Sequence, residues 1–357
     1  MEVLDRLNKT TEGGEKMKQK QSLIFVRRQI CFFVVVAVAA LVPTFANPAP
    51  APKPIELKWV SFRPATHKGV IGIRDLIVDP LNKEAKDELT IKWMGGPDTM
   101  SPSDIGLAVQ KGVIDIGSIY VGAYESLAPG VGGAMLTQLT PDEERKPGGA
   151  YDFLLSLHTK AGLFYLGRPE PMTEGFFYTW LRTKRLETPK DFVGVKIGSA
   201  TGARAAVIAW GATQVTVAVP ENYSALERGL VDGIAGQPLR GAVGFGWYEL
   251  AKYIIDHPYY QSTVMLIMNL NSWNRLPEHL QKLMMKRMVQ AEKDSMVKQT
   301  QTELGLKKKL AGSKVEFYKL SPDVAKWYLK TAYDSAWQYQ QQRFPEVTPK
   351  LKELLSK

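Results

Sequence analysis

The amino-acid sequence predicts an α/β fold of two lobes, and three observations support this prediction. Strands alternate with helices between residues 56 and 120, and the same alternation returns between residues 193 and 232. The segments 108–115 and 225–232 match in residue type at all eight positions. Strand–helix alternation is typical of a largely parallel sheet. Its repetition therefore predicts two similar lobes with a cleft between them, where ligands commonly bind.

The first lobe begins with a strand at 56–62, where β-forming residues lie between two prolines. A helix is predicted at 69–86 and a second strand at 89–94. Ser101 and Pro102 suit the N-cap and first position of a helix, which we expect to end at Gly112. A third strand is predicted at 113–120.

The second lobe repeats this order, with strands at 193–198 and 213–219 and helices at 202–210 and 220–229. Each matched segment predicts the end of a helix, a glycine in the left-handed conformation, and a buried strand that ends in an aspartate. Because Asp115 and Asp232 recur in the same setting, we expect both to be structural. The last third is helical in pattern, with helices at 277–306 and 321–337.

The composition excludes several classes of protein. The chain has 357 residues, 45% hydrophobic and 23% charged, which is typical of a globular protein. The net charge of +10 comes from 46 Lys and Arg scattered among 36 Asp and Glu. Since a basic patch is the feature that indicates a nucleic-acid surface, we predict no nucleic-acid partner.

The N-terminal residues indicate export. A basic stretch precedes an apolar run at 30–42, and small residues follow up to Ala46. This order is typical of a secretory signal peptide, so we assign 1–46 to a signal peptide and 47–54 to a Pro/Ala-rich linker. An uncleaved membrane anchor is the alternative. The single cysteine, Cys31, lies within the apolar run, so the exported chain has no thiol nucleophile.

Known catalytic motifs are missing from the sequence. It contains no GxSxG, no HExxH and no Walker loop, and its four histidines are far apart. We therefore predict no metal and no cofactor. The turn between Gly198 and Gly202 follows a strand, so its amides could hold an anion, although an ordinary tight turn is equally consistent. A binding protein is the simplest reading, and an enzyme whose residues converge only in three dimensions is the rival.

Four segments resemble the DctP-type solute-binding proteins of TRAP transporters: residues 188–197, 221–233, 273–277 and 110–115. The resemblance implies a two-lobe periplasmic binding protein fold with hinge strands and a long C-terminal helical region. It assigns 55–175 and 264–303 to lobe I, and 176–263 and 304–357 to lobe II. It also implies a periplasmic receptor, monomeric or homodimeric, that delivers a small-molecule ligand to the small and large subunits of a TRAP membrane permease.

The sequence departs from this family where the ligand is held. Family members mostly bind organic acids, with an arginine directly after the Lys-Ile pair that here is followed by Gly198. A second frequent arginine aligns with Phe177, and the usual asparagine falls near Gly236 or Gln237. An arginine–carboxylate pair is a strong and geometrically specific contact. Either another arginine replaces it, or the ligand is less polar than is usual for the family.

The candidate ligand residues are the replacement arginines, the nearby aromatic residues, the polar residues after the first strands, and the two altered family positions. They are Arg63, His67, Asp98, Tyr120, Tyr178, Arg182, Gly198, Arg204, Trp210, Gln237, Arg240 and Trp247. Three alternatives stay open: a hydrophobic or lipid-like ligand, a periplasmic enzyme, and a protein-interaction module without a ligand.

Overall fold

The computed structural model describes residues 53–169, 176–199, 201–261 and 264–357. The predicted signal peptide and most of the linker lie outside these ranges. The described chain forms two mixed sheets with helices packed against them, as the alternation of strands and helices predicts.

The first sheet has five strands in the order β2-β1-β3-β10-β4. Its strands are β1 (Ile55–Ser61), β2 (Leu89–Gly95), β3 (Ile116–Tyr120), β4 (Leu163–Gly167) and β10 (Val264–Asn269). Strand β1 is parallel to β2 and β3, and β10 is antiparallel to both β3 and β4. The carboxyl ends of β1 to β4 therefore share one edge of this sheet.

The second sheet has six strands in the order β11-β9-β5-β8-β6-β7. Its strands are β5 (Phe176–Leu181), β6 (Lys196–Ser199), β7 (Thr213–Thr216), β8 (Gly233–Gln237), β9 (Tyr253–Gln261) and β11 (Glu316–Tyr318). All are parallel to one another except β5, which is antiparallel to its neighbours. The amino end of β5 thus lies at the carboxyl edge of the sheet.

The helices follow the strands in the predicted order. They are α1 (Lys68–Ile73), α2 (Asp79–Glu84), α3 (Pro102–Gln110), α4 (Pro141–Glu144), α5 (Ala150–Lys160), α6 (Arg204–Ala209), α7 (Asn222–Glu227), α8 (Leu239–Gly244), α9 (Leu270–Asn274), α10 (Glu278–Ala311), α11 (Pro322–Arg343) and α12 (Thr348–Leu355). A π-helical turn at Arg74–Val78 joins α1 to α2, so the predicted helix at 69–86 is one continuous helical segment.

The repeated eight-residue segment forms the same structure in both lobes. Gly112 and Gly229 both adopt the left-handed conformation, with φ of +72° and +69°. The residue after each glycine donates its N–H to the carbonyl five residues back: Val113 to Ala108 at 2.9 Å, and Leu230 to Ala225 at 3.0 Å. These are Schellman helix ends. The strands β3 and β8 begin only after the aspartates, so the prediction that they end there is wrong: the helix-end turn occupies those residues.

The C-terminal helices connect the two halves of the chain. Trp210 of α6 stacks on Tyr328 of α11, with ring centroids 4.3 Å apart. The last helix, α12, lies against the region after β3: the carbonyl of Leu355 accepts the N–H of Gln138 at 2.8 Å. We therefore propose to group α12 with lobe I, whereas the sequence-based division places residues 304–357 in lobe II.

Candidate ligand-binding cleft

The carboxyl edges of the two sheets face each other because the chain crosses between them twice. It leaves the first sheet at Gly167 and enters the second at Phe176, and it leaves the second at Gln261 and re-enters the first at Val264. Three residues of extended chain span roughly 10 Å at most, so the second crossing holds the edges close together. In open α/β sheets, ligands bind beyond the carboxyl ends of the strands.

An aromatic and cationic cluster lies at the edge of lobe I. The rings of Phe62 and Tyr120 meet edge to face, with centroids 5.2 Å apart and planes at 73°. The guanidinium carbon of Arg63 lies 4.6 Å from the centroid of the Phe62 ring. Tyr120 is the exposed member, with 43% of its surface accessible. Arg63 and Tyr120, both predicted as ligand residues, thus contact the same ring of Phe62, which the sequence analysis did not single out.

The loops after β1 and β2 are also in contact. A Cβ atom on Gly96 would lie 2.9 Å from the carbonyl oxygen of Arg63, so the two loops pass each other without room for a side chain. Asp98 accepts the N–H of Gly96 at 3.2 Å and is otherwise exposed. His67 caps α1, since its Nδ1 accepts the N–H of Gly69 at 3.0 Å. The imidazole therefore has a local structural role.

Gly198 lies within the core of lobe II. A Cβ atom at this position would lie 3.3 Å from methyl groups of Ile234 and Val217 and 3.4 Å from Val231. A side chain here would point into apolar packing, away from the cleft. The neighbouring Ser199 is buried, and its hydroxyl oxygen accepts a hydrogen bond from the side-chain amide of Gln214 at 3.3 Å.

The turn after β6 forms the edge of lobe II beside Gly198. A Cβ atom on Gly202 would lie 3.1 Å from the methyl group of Met135 and 3.9 Å from the ring of Phe177. The second departure from the family, Phe177, therefore lies at this edge next to apolar neighbours. Arg204 begins α6 two residues later and is exposed.

The end of β8 carries the remaining polar candidates. Gln237 is buried, and its carbonyl accepts the indole N–H of Trp180 at 3.2 Å. Gly236 has φ of +74°, and a Cβ atom there would lie 2.5 Å from that of Ala203, so only glycine allows this approach. Arg240 follows in α8; its Nε is buried and has no partner among the described residues.

Three of the predicted aromatic residues belong to the core of lobe II. Trp210 is buried and donates its indole N–H to the carbonyl of Tyr328 at 3.0 Å. Trp247 is buried beneath Phe245. Tyr178 donates its hydroxyl to Glu303 of the long helix, and burial, with a further contribution from Glu303, raises the pKa of the tyrosine. The two tryptophans are therefore packing residues of the second sheet, and Tyr178 is bonded to the long helix α10.

Arg182 lies at the far edge of the second sheet. It follows the carboxyl end of β5, and its N–H donates to the carbonyl of Asp232 at 2.8 Å. Its Nη2 lies 3.2 Å from the Cβ position of Gly229, within the Schellman turn. The strand is antiparallel to its neighbours, which is why this arginine is directed away from the cleft.

A buried ionic network, which the sequence analysis missed, connects the points where the two crossings between the sheets begin. Arg168 follows β4 and donates from Nε and Nη2 to Glu144 at 2.8 and 2.6 Å, and from Nη1 to Gln261 at 3.0 Å. Glu292 of α10 accepts the N–H of Arg168 at 2.9 Å and pairs with Arg145 at 2.6 Å. No local motif links residues so far apart in the chain.

This arrangement defines a class of protein: two α/β lobes joined by hinge strands, with polar and aromatic residues at facing edges and a long helix along both. The chain belongs to the bacterial extracellular solute-binding protein family 7, the DctP family, whose model matches residues 107–343. The members of this family are binding proteins.

Solved structures of TRAP periplasmic solute-binding proteins have the same fold. One from Ochrobactrum anthropi, whose C-terminus is bound in the ligand-binding pocket, has a TM-score of 0.73 at 18% identity, over 85% of this chain and 95% of that one. One from Haemophilus influenzae with bound L-gulonate has a TM-score of 0.66 at 19% identity, over 84% of this chain and 99% of that one. One from Desulfovibrio desulfuricans with bound sn-glycerol-3-phosphate has a TM-score of 0.70 at 18% identity, over 84% of this chain and 96% of that one.

The described ranges contain neither a candidate membrane span nor a candidate cluster of metal ligands. None of the helices there is both long enough and apolar enough to cross a membrane. Within the same ranges, no three side chains of His, Cys, Asp or Glu converge as ligands of a metal ion would.

Proposed function

We propose that this protein is the periplasmic receptor of a TRAP-type transporter. It captures a small organic ligand between its lobes and delivers it to an ion-gradient-driven permease of small and large membrane subunits. The observation that carries the proposal is the double crossing at 167–176 and 261–264, which turns the carboxyl edges of both sheets towards each other. Closure of two lobes about such hinges is a common way of burying a ligand.

The proposed ligand site contains residues from both edges. In lobe I it includes Arg63, Tyr120 and Asp98, with His67 supporting the first loop. In lobe II it includes Arg204, Gln237 and Arg240, with the glycine backbone of 198–202 beside them. Tyr178, Trp210 and Trp247 underlie this edge as packing residues, and Arg182 lies outside it.

The proposed ligand is less polar than the sugar acids and phosphate esters named for the solved relatives. Phe177 contributes apolar surface at the edge of lobe II, and Met135 of lobe I lies beside that edge at Gly202. Phe62 and Tyr120 contribute aromatic surface at the edge of lobe I. Aromatic side chains offer large apolar contact area together with defined geometry. Arginines at both edges nevertheless favour a ligand that carries negative charge.

Native mass spectrometry of the exported chain, purified gently from the periplasm, tests the receptor function. The expected result is one small organic molecule held per chain, which denaturation releases unchanged. A protein that converts added organic acids with turnover would indicate the enzyme alternative. A protein that neither retains nor binds any small molecule would contradict the receptor function and favour the interaction module.

A further inference from the structure

The net positive charge of the folded chain lies in the second lobe. With α12 grouped in lobe I, residues 55–175, 264–303 and 348–357 carry 21 Lys and Arg and 21 Asp and Glu. Residues 176–263 and 304–347 carry 17 Lys and Arg against 11 Asp and Glu. A charge confined to one half of a molecule attracts partners of opposite charge to that half.

Exposed cations of lobe II gather at the amino edge of the second sheet, opposite the cleft. There β6, β8, β9 and β11 begin and the antiparallel β5 ends. Lys252 joins three of these strands, since it donates its N–H to the carbonyl of Leu181 at 2.9 Å and accepts that of Glu316 at 2.8 Å. The segments that lead into the strands carry seven exposed cations: Lys190, Lys196, Arg228, Lys252, Lys308, Lys309 and Lys314.

These seven cations make no ion pair with the described residues. Several acids of the same edge are already engaged by other cations: Arg185 pairs with Glu187 and Glu316, and Lys184 lies 3.6 Å from Asp191. Three further acids accompany the cations there, namely Glu227, Asp232 and Glu249. Seven cations against three acids leave an excess of four positive charges at this edge.

Three exposed aliphatic side chains lie along the same edge. Val193 and Leu230 each stand three residues before a strand, β6 or β8, and these strands are neighbours in the sheet. Ile208 lies one turn before Gly211, whose Cβ position is 3.5 Å from a methyl carbon of Val193. The exposed fractions of Val193, Leu230 and Ile208 are 69%, 56% and 53%. Grouped apolar side chains on a surface mark a site of interaction.

We propose that the amino edge of lobe II binds the surface of an anionic phospholipid membrane. Its cations pair with headgroup phosphates, and Val193, Ile208 and Leu230 insert at the boundary between headgroups and acyl chains. Cations around an apolar row are the features that hold proteins in this interface. The aliphatic row favours a lipid surface over a soluble acidic partner, because apolar side chains gain nothing from a purely charged surface.

This membrane contact goes beyond the proposed receptor function and does not depend on the identity of the ligand. The amino edge lies opposite the carboxyl edge that faces the cleft, so bound lipid leaves the cleft open to its ligand. The contact would keep the exported chain close to the membrane that holds the permease.

The internal repeat supplies a matched control in lobe I. Lys58 corresponds to Lys196, since both donate the backbone N–H to the aspartate of the repeat. Lys111 corresponds to Arg228, since both precede its glycine. All four side chains are exposed. Exchange of two cations for glutamates therefore changes the total charge equally at either lobe.

The experiment measures cosedimentation of the exported chain with vesicles of phosphatidylcholine alone or of equal parts phosphatidylcholine and phosphatidylglycerol. At about 0.1 M salt, where charges act over roughly 10 Å, we expect binding to the anionic vesicles only. The Lys196→Glu, Arg228→Glu double variant should bind at least about 25-fold more weakly, since each cation near such a surface contributes roughly fivefold. The Lys58→Glu, Lys111→Glu double variant should lose less than about fivefold.

A second pair of variants tests insertion of the aliphatic row. Leu230→Asp should weaken binding to the anionic vesicles about tenfold or more, because it removes a side chain that the interface would bury. Val113→Asp is the control, because Val113 holds the same place in the repeat of lobe I and is 60% exposed. Unchanged thermal midpoints establish that each variant is folded.

The outcomes distinguish this proposal from the receptor function. Equal binding to both kinds of vesicle, binding to neither, or equal losses in the two double variants would overturn the membrane contact. A loss on charge reversal with no effect of Leu230→Asp would overturn the lipid surface and indicate a purely charged partner. Ligand retention in native mass spectrometry should be unchanged in every variant. A chain that binds anionic vesicles and retains no small molecule would contradict the receptor function alone.

Discussion

Arg168 donates a hydrogen bond from Nη1 to Oε1 of Gln261 at 3.0 Å, and this bond joins the two segments in which the chain passes between the sheets. The same guanidinium donates to both carboxylate oxygens of Glu144. All three side chains are buried. The hinge of the receptor is therefore fixed to lobe I by a desolvated ion pair, close to the ligand edges but not part of them.

Removal of this guanidinium should destabilise the protein strongly. Arg168→Met leaves Glu144 buried without its cation, and breaking one partner of a buried pair costs about 3–5 kcal/mol. The midpoint of urea unfolding should fall accordingly. Arg185→Met is the control, because Arg185 pairs with Glu316 at an exposed site and its removal should leave the midpoint unchanged. Equal midpoints for the two variants would show that the hinge network contributes no stability.

His158 should make the stability of lobe I depend on pH. Its imidazole is fully buried, donates from Nδ1 to the carbonyl of Leu154 at 2.7 Å and accepts from Tyr124 at 2.9 Å. Burial lowers its pKa from 6.5 to about 4. Between pH 6.5 and about pH 4, His158 is therefore protonated in the unfolded chain but neutral in the folded chain. The free energy of unfolding decreases as the pH falls through this range.

The magnitude follows from the shift in pKa. A difference of this size corresponds to about 3 kcal/mol of unfolding free energy lost between pH 6.5 and 4. His158→Gln cannot be protonated and should lack this part of the pH dependence. Chemical unfolding of both proteins across the window measures the difference. Parallel curves for the two proteins would show that His158 titrates normally in the folded state.

The aromatic edge of lobe I should contribute to ligand binding. Tyr120→Ala removes an exposed ring that meets Phe62 edge to face, and we expect affinity for the retained molecule to fall about tenfold, as loss of one aromatic contact predicts. Tyr339→Ala is a matched control, because Tyr339 is 42% exposed against 43% for Tyr120 and lies on α11. Equal affinities of the two variants, measured by calorimetry, would place the ligand elsewhere.

Restoring the arginine of the family at position 198 should not restore a carboxylate site. The Cβ of a residue there meets Ile234, Val217 and Val231 at 3.3–3.4 Å, and a buried cation in this packing has no partner. Gly198→Arg should therefore lower stability by several kcal/mol. Gly194→Arg, where a Cβ meets no atom within 4 Å, controls for the added charge, although its positive φ carries some strain. A stable Gly198→Arg variant with tighter acid binding would contradict the orientation described above.

The fold was predictable because its signals are local. Ser101 and Pro102 begin α3, and Gly112 ends it in the left-handed conformation. Asp115 and Asp232 have matching roles, as expected: each carboxylate accepts a backbone N–H from the neighbouring parallel strand, at Lys58 of β1 or Lys196 of β6. These features depend on neighbouring residues or on a short repeat. The boundaries of β3 and β8 were less accurate, because a helix-end turn and a strand both favour apolar residues.

The candidate site was only partly predictable because side-chain direction depends on sheet order. Tryptophan is a residue type that often contacts ligands, but Trp210 and Trp247 are both buried in the core of lobe II. Arg182 follows the one antiparallel strand of its sheet, so it lies at the opposite edge from Arg240. Phe62 and Arg168 lacked any sequence signal, since their roles arise from contacts with Tyr120 and Gln261.

Lobe closure on ligand binding is the central claim, and small-angle X-ray scattering tests it most directly. The exported chain is measured after the retained molecule has been removed, and again with that molecule restored to saturation. We predict a smaller radius of gyration in the bound state, because the ligand is enclosed between the two carboxyl edges. Stoichiometric binding with no change in the radius would contradict closure of the cleft about the hinge at Arg168 and Gln261.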